Sequence, residues 1–470
     1  MQLAHQRSGS LALVLLTILT LIAACGTTPA TDSGSGASGA ATSATSATNA
    51  GSTDAPTASS STSATSGTST DQAVGCDIPN QTQAVTVNVL AYNSSAIDPF
   101  SNAMEQNCTK NGVTVQHAPI DFSGQYEKTA SSLAGEQGTY DIIEIYSGAV
   151  PRYATADKLV PLDDLFAKYK DKYQLGELNQ TMLDGLSYNG KLYALPMQAN
   201  VMIMVYRKDI FDELGLQPPT TYADLLTVAS KIKESGKMEY PLALPFADNT
   251  STLFEQVMAS QGKSYLDPAT NQPTFTTPEA ERGLQALVDL APYMDPEVIA
   301  LNQPKVQQQL FNGQAAIAIM FSGRMSDLLN PENTSFADKF AFAPPPKMDA
   351  SGKVGSTLSV DGWVIAKNSK VDPDLLFQII ASSVSTETST SALPAAYPAR
   401  EGLVTEANVP YATAVQGALA GGGSTPPMET WLGSVQSDTS AFIQAAITGQ
   451  TPVSDALSQA QTAAVTALQQ

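Results

Sequence analysis

The chain has 470 residues, with 24 Lys and Arg against 44 Asp and Glu, for a formal net charge of −20. That length allows two or three domains with a substantial core. The negative charge, with no run of Lys or Arg, argues against nucleic acid as a partner and against polybasic contact with anionic lipid. The only histidines, His5 and His117, cannot build a multi-histidine metal site, and we expect neither a metal nor a cofactor.

The first 25 residues have the pattern of an export signal. Arg7 provides a positive charge, and residues 11–24 are apolar apart from two threonines. This stretch is shorter than the about 20 residues that a membrane-spanning helix needs, and it matches the apolar region of a signal peptide. The small residues before Cys25 resemble a bacterial lipobox, which implies removal of residues 1–24 and lipidation of Cys25. The alternative is an ordinary cleaved signal with an incidental cysteine.

A low-complexity segment follows Cys25. Ala, Gly, Ser and Thr make up 42 of the 50 residues in 26–75, which contain no Lys, Arg, aromatic residue or Leu. Such a composition cannot compensate the entropy lost on ordering. We therefore expect residues 25–75 to be a lipidated cysteine with a disordered tether, whose r.m.s. reach is about 35–40 Å.

The two remaining cysteines are Cys76 and Cys108. In an exported protein an even pair predicts a disulfide, here closing a loop of about 30 residues and stabilising the fold by roughly 3 kcal/mol. Two free buried thiols are the alternative.

From Cys76 onward the pattern is typical of an α/β fold. Residues 84–90, 113–115 and 141–146 are short β-branched or apolar runs separated by helical stretches. Strands that alternate with helices predict a largely parallel sheet, with ligands at the carboxyl ends of the strands.

Later helices carry clear start signals. Thr221 and Asp224 predict a capping box, and Thr451 with Pro452 predicts an N-cap followed by proline at the first helical position. The last helix has apolar residues on one face at positions 453, 457, 460, 464 and 468, which predicts that it packs against the folded body.

No catalytic motif stands out. HExxH, GxGxxG, a Walker A motif and paired CxxC are absent. Carboxylates are common enough to allow a glycosidase pair, but no spacing marks two of them as acid and base. A Ser-His-Asp triad would depend on His117 alone, which we interpret as an ordinary surface or packed histidine.

Four stretches carry a family resemblance, and they occur in a fixed order. They read YDII at 140–143 with LVPLDDL at 159–165; GKLYALP at 190–196 with VYRKDIF at 205–211, LGL at 214–216 and PPT at 218–220; FNGQAAIAI at 311–319; and DGWVIA at 361–366. Together they resemble the maltodextrin-binding group of extracellular solute-binding proteins of ABC importers. The resemblance covers essentially all of 76–470.

The resemblance implies an α/β, two-lobe periplasmic-binding-protein-like fold. Each lobe would be a mostly parallel sheet flanked by helices, and crossing hinge strands would join the lobes near 196–202, 346–359 and 399–411. Lobe 1 would comprise 76–196 and 356–400, and lobe 2 would comprise 197–346 and 410–470.

The resemblance also implies a ligand cleft at the strand ends. A sugar cleft needs aromatic faces for stacking and planar polar groups for hydroxyls. The implied ligand-binding residues are Tyr92, Asn93, Glu144, Tyr146, Ser147, Gln198, Asn200, Phe246, Asp248, Ser322, Arg324, Asp361, Trp363, Arg400 and Trp431.

Two departures from the family pattern bear on the solute. Phe321-Ser322-Gly323-Arg324 stands where family members commonly have tryptophan, and Asp361 stands where they commonly have glycine. Fewer stacking residues and an added charge favour a mono- or disaccharide, or a polyol, over a long oligosaccharide.

The sequence therefore predicts a lipid-anchored, monomeric receptor on the extracellular face of a bacterial membrane, or in a periplasm. Its partners would be a small carbohydrate, the permease subunits of an ABC transporter and the membrane through the lipid. A secreted carbohydrate-active enzyme and a sensory solute receptor are the alternatives.

Overall fold

The computed structural model describes residues 75–267, 269–420 and 429–469. The predicted signal peptide, the Cys25 lipidation site and the tether up to residue 74 lie outside the described residues. Within the part described, no helix has the length and apolar character needed to cross a membrane.

The elements before the central strand build most of the first lobe. They are β1 (Val85–Tyr92), α1 (Asp98–Cys108), β2 (Val113–Ile120), α2 (Phe122–Ala134), β3 (Ile142–Tyr146), α3 (Val150–Thr155), α4 (Asp163–Tyr169), α5 (Gln180–Gly185), β4 (Ser187–Tyr188) and β5 (Lys191–Leu192). Buried residues alternate with more exposed ones at the start of β1, which is the pattern of a β-strand.

The central strand and the second group of elements follow. They are β6 (Ala194–Arg207), α6 (Lys208–Leu214), α7 (Tyr222–Glu234), β7 (Leu242–Ala243), α8 (Phe246–Ala259), α9 (Pro278–Leu290), α10 (Gln303–Phe311), β8 (Ile317–Phe321), α11 (Met325–Leu328) and β9 (Phe340–Ala343). The capping box predicted at Thr221 and Asp224 is present at the start of α7.

The last part of the chain contributes elements to both lobes. Its elements are β10 (Leu358–Ile365), α12 (Pro373–Ser383), α13 (Thr386–Ser391), β11 (Tyr397–Pro398), α14 (Ala412–Ala420), α15 (Leu432–Ile447) and α16 (Val453–Ala467). Helix α16 begins at Val453, one residue later than predicted. Pro452 is therefore its N-cap rather than its first residue, and no side chain forms a capping hydrogen bond. Leu457, Ala460 and Ala464 are buried, so α16 packs against the body as predicted.

Strand β6 lies at the centre of a mixed sheet, in which β1 pairs in parallel with β2 and β3, and β7 pairs in parallel with β8. The strand order is β2-β1-β3-β10-β6-β8-β7, and β9 and β11 also pair with β6. β6 pairs with β10 as far as Val201 and with β8 from Met202 onward. We call the part built around β2, β1, β3 and β10 lobe 1 and the part built around β8 and β7 lobe 2. The two-lobe α/β fold expected from the sequence is therefore present, and the residue boundaries predicted for the lobes stay predictions.

A disulfide joins the start of the described chain to the end of α1. Cys76 and Cys108 are bonded, with a Cα–Cα distance of 5.3 Å. Both residues are buried in the core of lobe 1. The bridge therefore fixes the first described residues to the body.

A glycine allows the central strands to approach closely. The register of β10 against β6 shifts between Asp361 and Gly362. A Cβ atom on Gly362 would lie 2.5 Å from Leu186 Cδ1 and 2.8 Å from the Leu195 carbonyl oxygen. Only glycine fits here, and the resulting bulge lies at the edge of the sheet where the candidate site is found.

Candidate functional site

The carboxyl ends of the parallel strands in both lobes point towards the junction. β1 ends at Tyr92 and β3 at Tyr146 in lobe 1, while β8 ends at Phe321, opposite Met202 of β6. Strand β10 runs antiparallel and places Asp361 opposite both Tyr146 and Gln198. The candidate site is therefore the edge at which the two lobes meet.

A group of buried polar side chains lies at this edge of lobe 1. Gln198 Nε2 donates a 2.6 Å hydrogen bond to Asp361 Oδ2. Glu144 of β3 lies opposite Trp363 of β10, two residues along each strand from the Tyr146–Asp361 pair. The side chains of Glu144 and Asp361 therefore lie on the same face of the sheet. Glu144 Oε1 and Gln198 Oε1 are buried without a hydrogen-bond partner. Buried polar atoms normally have partners, so these two acceptors indicate a place for ligand donors.

The carboxyl groups of Glu144 and Asp361 influence each other. Burial raises the pKa of both, and the charge of Asp361 raises the pKa of Glu144 further. Burial, followed by the charges of Asp361 and Glu144, also raises the pKa of Tyr92. Without a ligand the pair therefore favours holding a proton over carrying two negative charges.

An exposed aromatic surface lies beside this polar group. The Phe122 ring is 5.5 Å from the Tyr92 ring, at 86°, and 6.3 Å from the Tyr146 ring. Phe122 is 48% exposed and Tyr126, one turn along α2, is 41% exposed. Arg152 Nη1 donates a 2.7 Å hydrogen bond to the Tyr126 hydroxyl. We call Phe122 and Tyr126 the aromatic rim.

Sequence reasoning missed the aromatic rim, although a signal for it exists. Phe122 begins α2, two residues after the end of β2 at Ile120. The carboxyl end of β2, like those of β1 and β3, lies at the edge where ligands are expected. Asp121 N-caps α2 through a 2.8 Å hydrogen bond from the Gly124 N–H, which places Phe122 at this edge.

Several predicted contacts of the junction are already bonded to the backbone. Ser322 Oγ accepts from the Val201 N–H at 3.0 Å, and Asn200 Oδ1 accepts from the Gly323 N–H at 3.0 Å. Ser147 Oγ accepts from the Val360 N–H at 3.3 Å. These three side chains hold the crossing region together and have less capacity left for a solute.

Arg324 brings a positive charge from lobe 2. It lies close enough to Tyr92 for its charge to lower the pKa of that hydroxyl. Its Nη1 donates to Gln307 Oε1 at 3.3 Å, and the carboxylates of Asp327 and Asp248 stabilise its charge. Asp248 also accepts from the Gln303 N–H at 3.2 Å.

Asn93 and Trp431 lie at the margins of the predicted set. Asn93 is exposed directly after β1. Trp431 is half-buried against the core of lobe 2 as the N-cap of α15. It follows residues 421–428, which are outside the described part of the chain.

Three residues of the predicted set are packed in the interior of the structure. Phe246 is fully buried in the core of lobe 2, where it begins α8. Trp363 is fully buried in the larger core, because β10 is a central strand, and its Nε1–H lacks a partner. Neither ring can serve as an open stacking surface.

Arg400 is the third of these buried residues. It is 2% exposed, and it donates to the carbonyl oxygens of Tyr173, Gln174 and Val384 and to Glu177 Oε2 at 2.8 Å. Val384 is the C-cap of α12, where carbonyl groups lack helical partners and attract a cation. Arg400 is therefore a structural residue of lobe 1.

The described residues contain no group of three or more His, Cys, Asp or Glu side chains arranged to hold a metal ion.

A family model described as bacterial extracellular solute-binding protein matches residues 90–376, more than half of the chain. The chain belongs to this family. Members of the family are solute-binding proteins of ABC transporters, not enzymes.

Curated relatives of this solute-binding protein are named for different solutes. The probable amino-acid ABC transporter periplasmic-binding protein y4oP of Sinorhizobium fredii is 23% identical over 63% of this chain and 68% of its own length. The mannitol-binding protein of Pseudomonas aeruginosa is 28% identical over 46% of this chain and 51% of its own length. The chain thus spans only about half of the mannitol-binding relative.

Solved structures share the fold of this solute-binding protein. The maltose-bound T. maritima MalE3 has a TM-score of 0.73 and 19% identity, with 82% of this chain and 100% of that chain covered. A solute-binding protein of Agrobacterium vitis S4 with bound D-mannitol has a TM-score of 0.70 and 23% identity, with 82% and 99% covered. These likenesses establish the two-lobe fold.

Proposed function

We propose that this solute-binding protein captures a small carbohydrate between its lobes and delivers it to the permease of an ABC transporter. A monosaccharide, a disaccharide or a polyol fits best, because the aromatic rim offers a short stacking surface. The proposal goes beyond family membership in naming the class of solute and the place where it binds.

The observation that carries the proposal is the combination of the polar group with the aromatic rim. Glu144, Gln198 and Asp361 present buried acceptors at the edge of the lobe 1 sheet. Phe122 lies beside them with about half of its surface open. Planar acceptors bind hydroxyl groups, and an aromatic face packs against the C–H face of a sugar.

The names of relatives support a carbohydrate as the solute and also suggest a second class of solute. Among the relatives are a mannitol-binding protein and a maltotriose-binding protein of Pyrococcus abyssi. The Sinorhizobium fredii relative is named for amino acids. An amino acid is the second candidate, because the Arg324 guanidinium near Tyr92 suits a carboxylate.

Closure around the solute would use the strand crossings. β6 changes partners between Val201 and Met202, and the further crossings are proposed at 346–359 and 399–411. A solute that contacts both lobes favours the closed arrangement, since it binds that state more tightly.

Delivery at a membrane would depend on the N-terminal segment. Lipidation of Cys25 would hold the body near the permease, with residues 26–75 between the lipid and the body. Replacement of Cys25 by Ser should release the protein from the membrane fraction or block its processing. A Cys25→Ser protein that is processed and retained in that fraction contradicts the anchor.

A thermal-shift screen with matched sugars, polyols and amino acids tests the solute class. A ligand that binds the native state raises the melting temperature by mass action. Small-angle scattering with the best ligand should then show compaction. If only amino acids raise the melting temperature, the carbohydrate proposal is wrong.

A further inference from the structure

Two buried carboxyl groups lie in the proposed site without a cation. Glu144 is 1% exposed and Asp361 is 3% exposed. Among residues 75–267, 269–420 and 429–469, no Lys, Arg or His forms an ion pair with either of them. A buried carboxylate without a counter-charge is costly, and proteins usually provide a partner or a proton.

The Gln198 side chain adds an acceptor to this carboxyl pair. Gln198 directs its Nε2–H to Asp361, and its Oε1 is a fully buried acceptor without a partner. Glu144 Oε1 is a second such acceptor. The set of groups therefore suits a ligand group that is rich in hydrogen-bond donors.

The facing elements do not supply the missing charge. From β1, Tyr92 brings a hydroxyl whose ionisation the carboxyl pair opposes. From α2, Gln125 donates its 2.6 Å hydrogen bond to the Glu144 backbone oxygen and not to the carboxylate. From lobe 2, Arg324 lies near Tyr92, and the carboxylates whose charges act on it are those of Asp327 and Asp248 rather than the pair.

We propose that the solute carries an ammonium group, which binds between the carboxylates of Glu144 and Asp361. An ammonium supplies three N–H donors and one positive charge, which match the carboxyl pair and the orphan Gln198 oxygen. This inference rests on the proposed site between the lobes and refines its solute class.

The same chemistry is found in two kinds of solute. Amino sugars and amino polyols carry an ammonium group, and so do amino acids. In either case a bound ammonium replaces a proton shared by the carboxyl pair, and the displaced proton passes to the buffer. The net charge of −20 on the chain would also attract a cationic solute.

Titration calorimetry with matched probes tests the inference. The carbohydrate pairs are D-mannitol with 1-amino-1-deoxy-D-mannitol and D-glucose with D-glucosamine, and the standard amino acids form the second arm. Near neutral pH we expect the amine of the preferred pair to bind at least about tenfold more tightly than its hydroxyl counterpart. Buffers of different ionisation enthalpy should reveal release of a proton.

Variants distinguish a specific effect of the Glu144–Asp361 pair from the effect of the overall negative charge of the protein. Asp361→Asn and Glu144→Gln should each reduce the amine preference at least about fivefold, because they remove one carboxylate and keep the shape. Asp212→Asn removes an exposed carboxylate that pairs with Lys208 on α6, and it should keep the preference. Melting curves of the unliganded variants verify that they are folded.

The outcomes distinguish this inference from the proposed function. Tight binding of amino acids alone supports the ammonium site and contradicts the carbohydrate proposal. Binding of hydroxyl and amine members with equal affinity overturns the ammonium site and leaves the carbohydrate proposal standing. If no member of either arm binds, both are wrong.

Discussion

Gln198 and Asp361 face each other on β6 and β10 and share a 2.6 Å hydrogen bond at the edge of the lobe 1 sheet. The bulge of β10 begins directly after Asp361, at Gly362. Bulges change the direction in which strand side chains point. The pairing therefore fixes the Asp361 carboxyl group at the proposed solute site.

Replacing Phe122 with Ala should weaken solute binding without unfolding the protein. The ring is about half exposed, so little core packing is lost. Loss of a stacking surface of this size should cost about 1–2 kcal/mol, or roughly five- to thirtyfold in affinity. Calorimetry measures the affinity, and Val465→Ala, a change at an exposed apolar residue of α16, is the control. An unchanged affinity in Phe122→Ala would exclude the aromatic rim from the site.

Replacing Trp363 with Ala should destabilise the fold. The indole is fully buried beside the core of lobe 1, so its removal leaves a cavity. The expected loss is about 3–5 kcal/mol in the free energy of unfolding. Urea denaturation checks this value. A loss below about 1 kcal/mol combined with weaker solute binding would restore the stacking role expected from the sequence.

Replacing Arg400 with Met should also lower stability but leave solute affinity unchanged. The guanidinium donates to three backbone carbonyl oxygens and to Glu177 in the interior of lobe 1. Its removal leaves those oxygens unsatisfied, at a cost of about 3 kcal/mol. Arg282→Met, at a half-exposed arginine that pairs with Asp349, is the control and should change stability little. Weaker solute binding by a folded Arg400→Met protein would return Arg400 to the site.

Replacing Glu255 with Gln should remove a pH-dependent part of the stability. Burial raises the pKa of this carboxyl to about 7, and its Oε2 has no hydrogen-bond partner. The folded state binds the proton more tightly than the unfolded state, so this contribution is present below about pH 4.5 and is lost as pH rises through about 7. The loss is on the order of 3 kcal/mol at 1.36 kcal/mol per pKa unit.

Denaturation of wild type and Glu255→Gln on both sides of this pH range measures the effect. The stability of the variant should fall less with rising pH than that of the wild type. Glu281→Gln, which removes an exposed carboxylate of α9, should follow the wild type. Parallel curves for all three proteins would contradict the assignment.

Replacing Gly355 with Ala should disrupt the segment between β9 and β10. A Cβ atom here would lie 1.8 Å from the Gln256 backbone oxygen and 2.7 Å from the Gln256 carbonyl carbon of α8. Backbone atoms cannot move aside, so the segment must shift, at a cost of about 1–3 kcal/mol. Gly433→Ala in α15, where no atom lies within 4 Å of the added Cβ, should be neutral or stabilising in the same denaturation experiment. Equal stability of the two variants would contradict the close contact.

Local patterns in the sequence determined much of the architecture. Strand β3 and the capping box at Thr221 were predictable because a short apolar run and an N-cap depend on neighbouring residues. The family and the two-lobe fold were accessible through motifs of fixed order. Tyr92 and Glu144 could be placed together because parallel strands bring their carboxyl ends to one edge, whereas Gln198 and Asp361 were expected only from the family resemblance.

Only the tertiary structure decided which residues near the strand ends are open. Phe246, Trp363 and Arg400 follow strands or lie on them, as Asn93 does, yet those three are buried while Asn93 is exposed. Phe122 stays half exposed because α2 begins at the edge of the sheet rather than beneath it. Coverage of this kind depends on residues far apart in the chain, and the pattern of any one segment does not contain it.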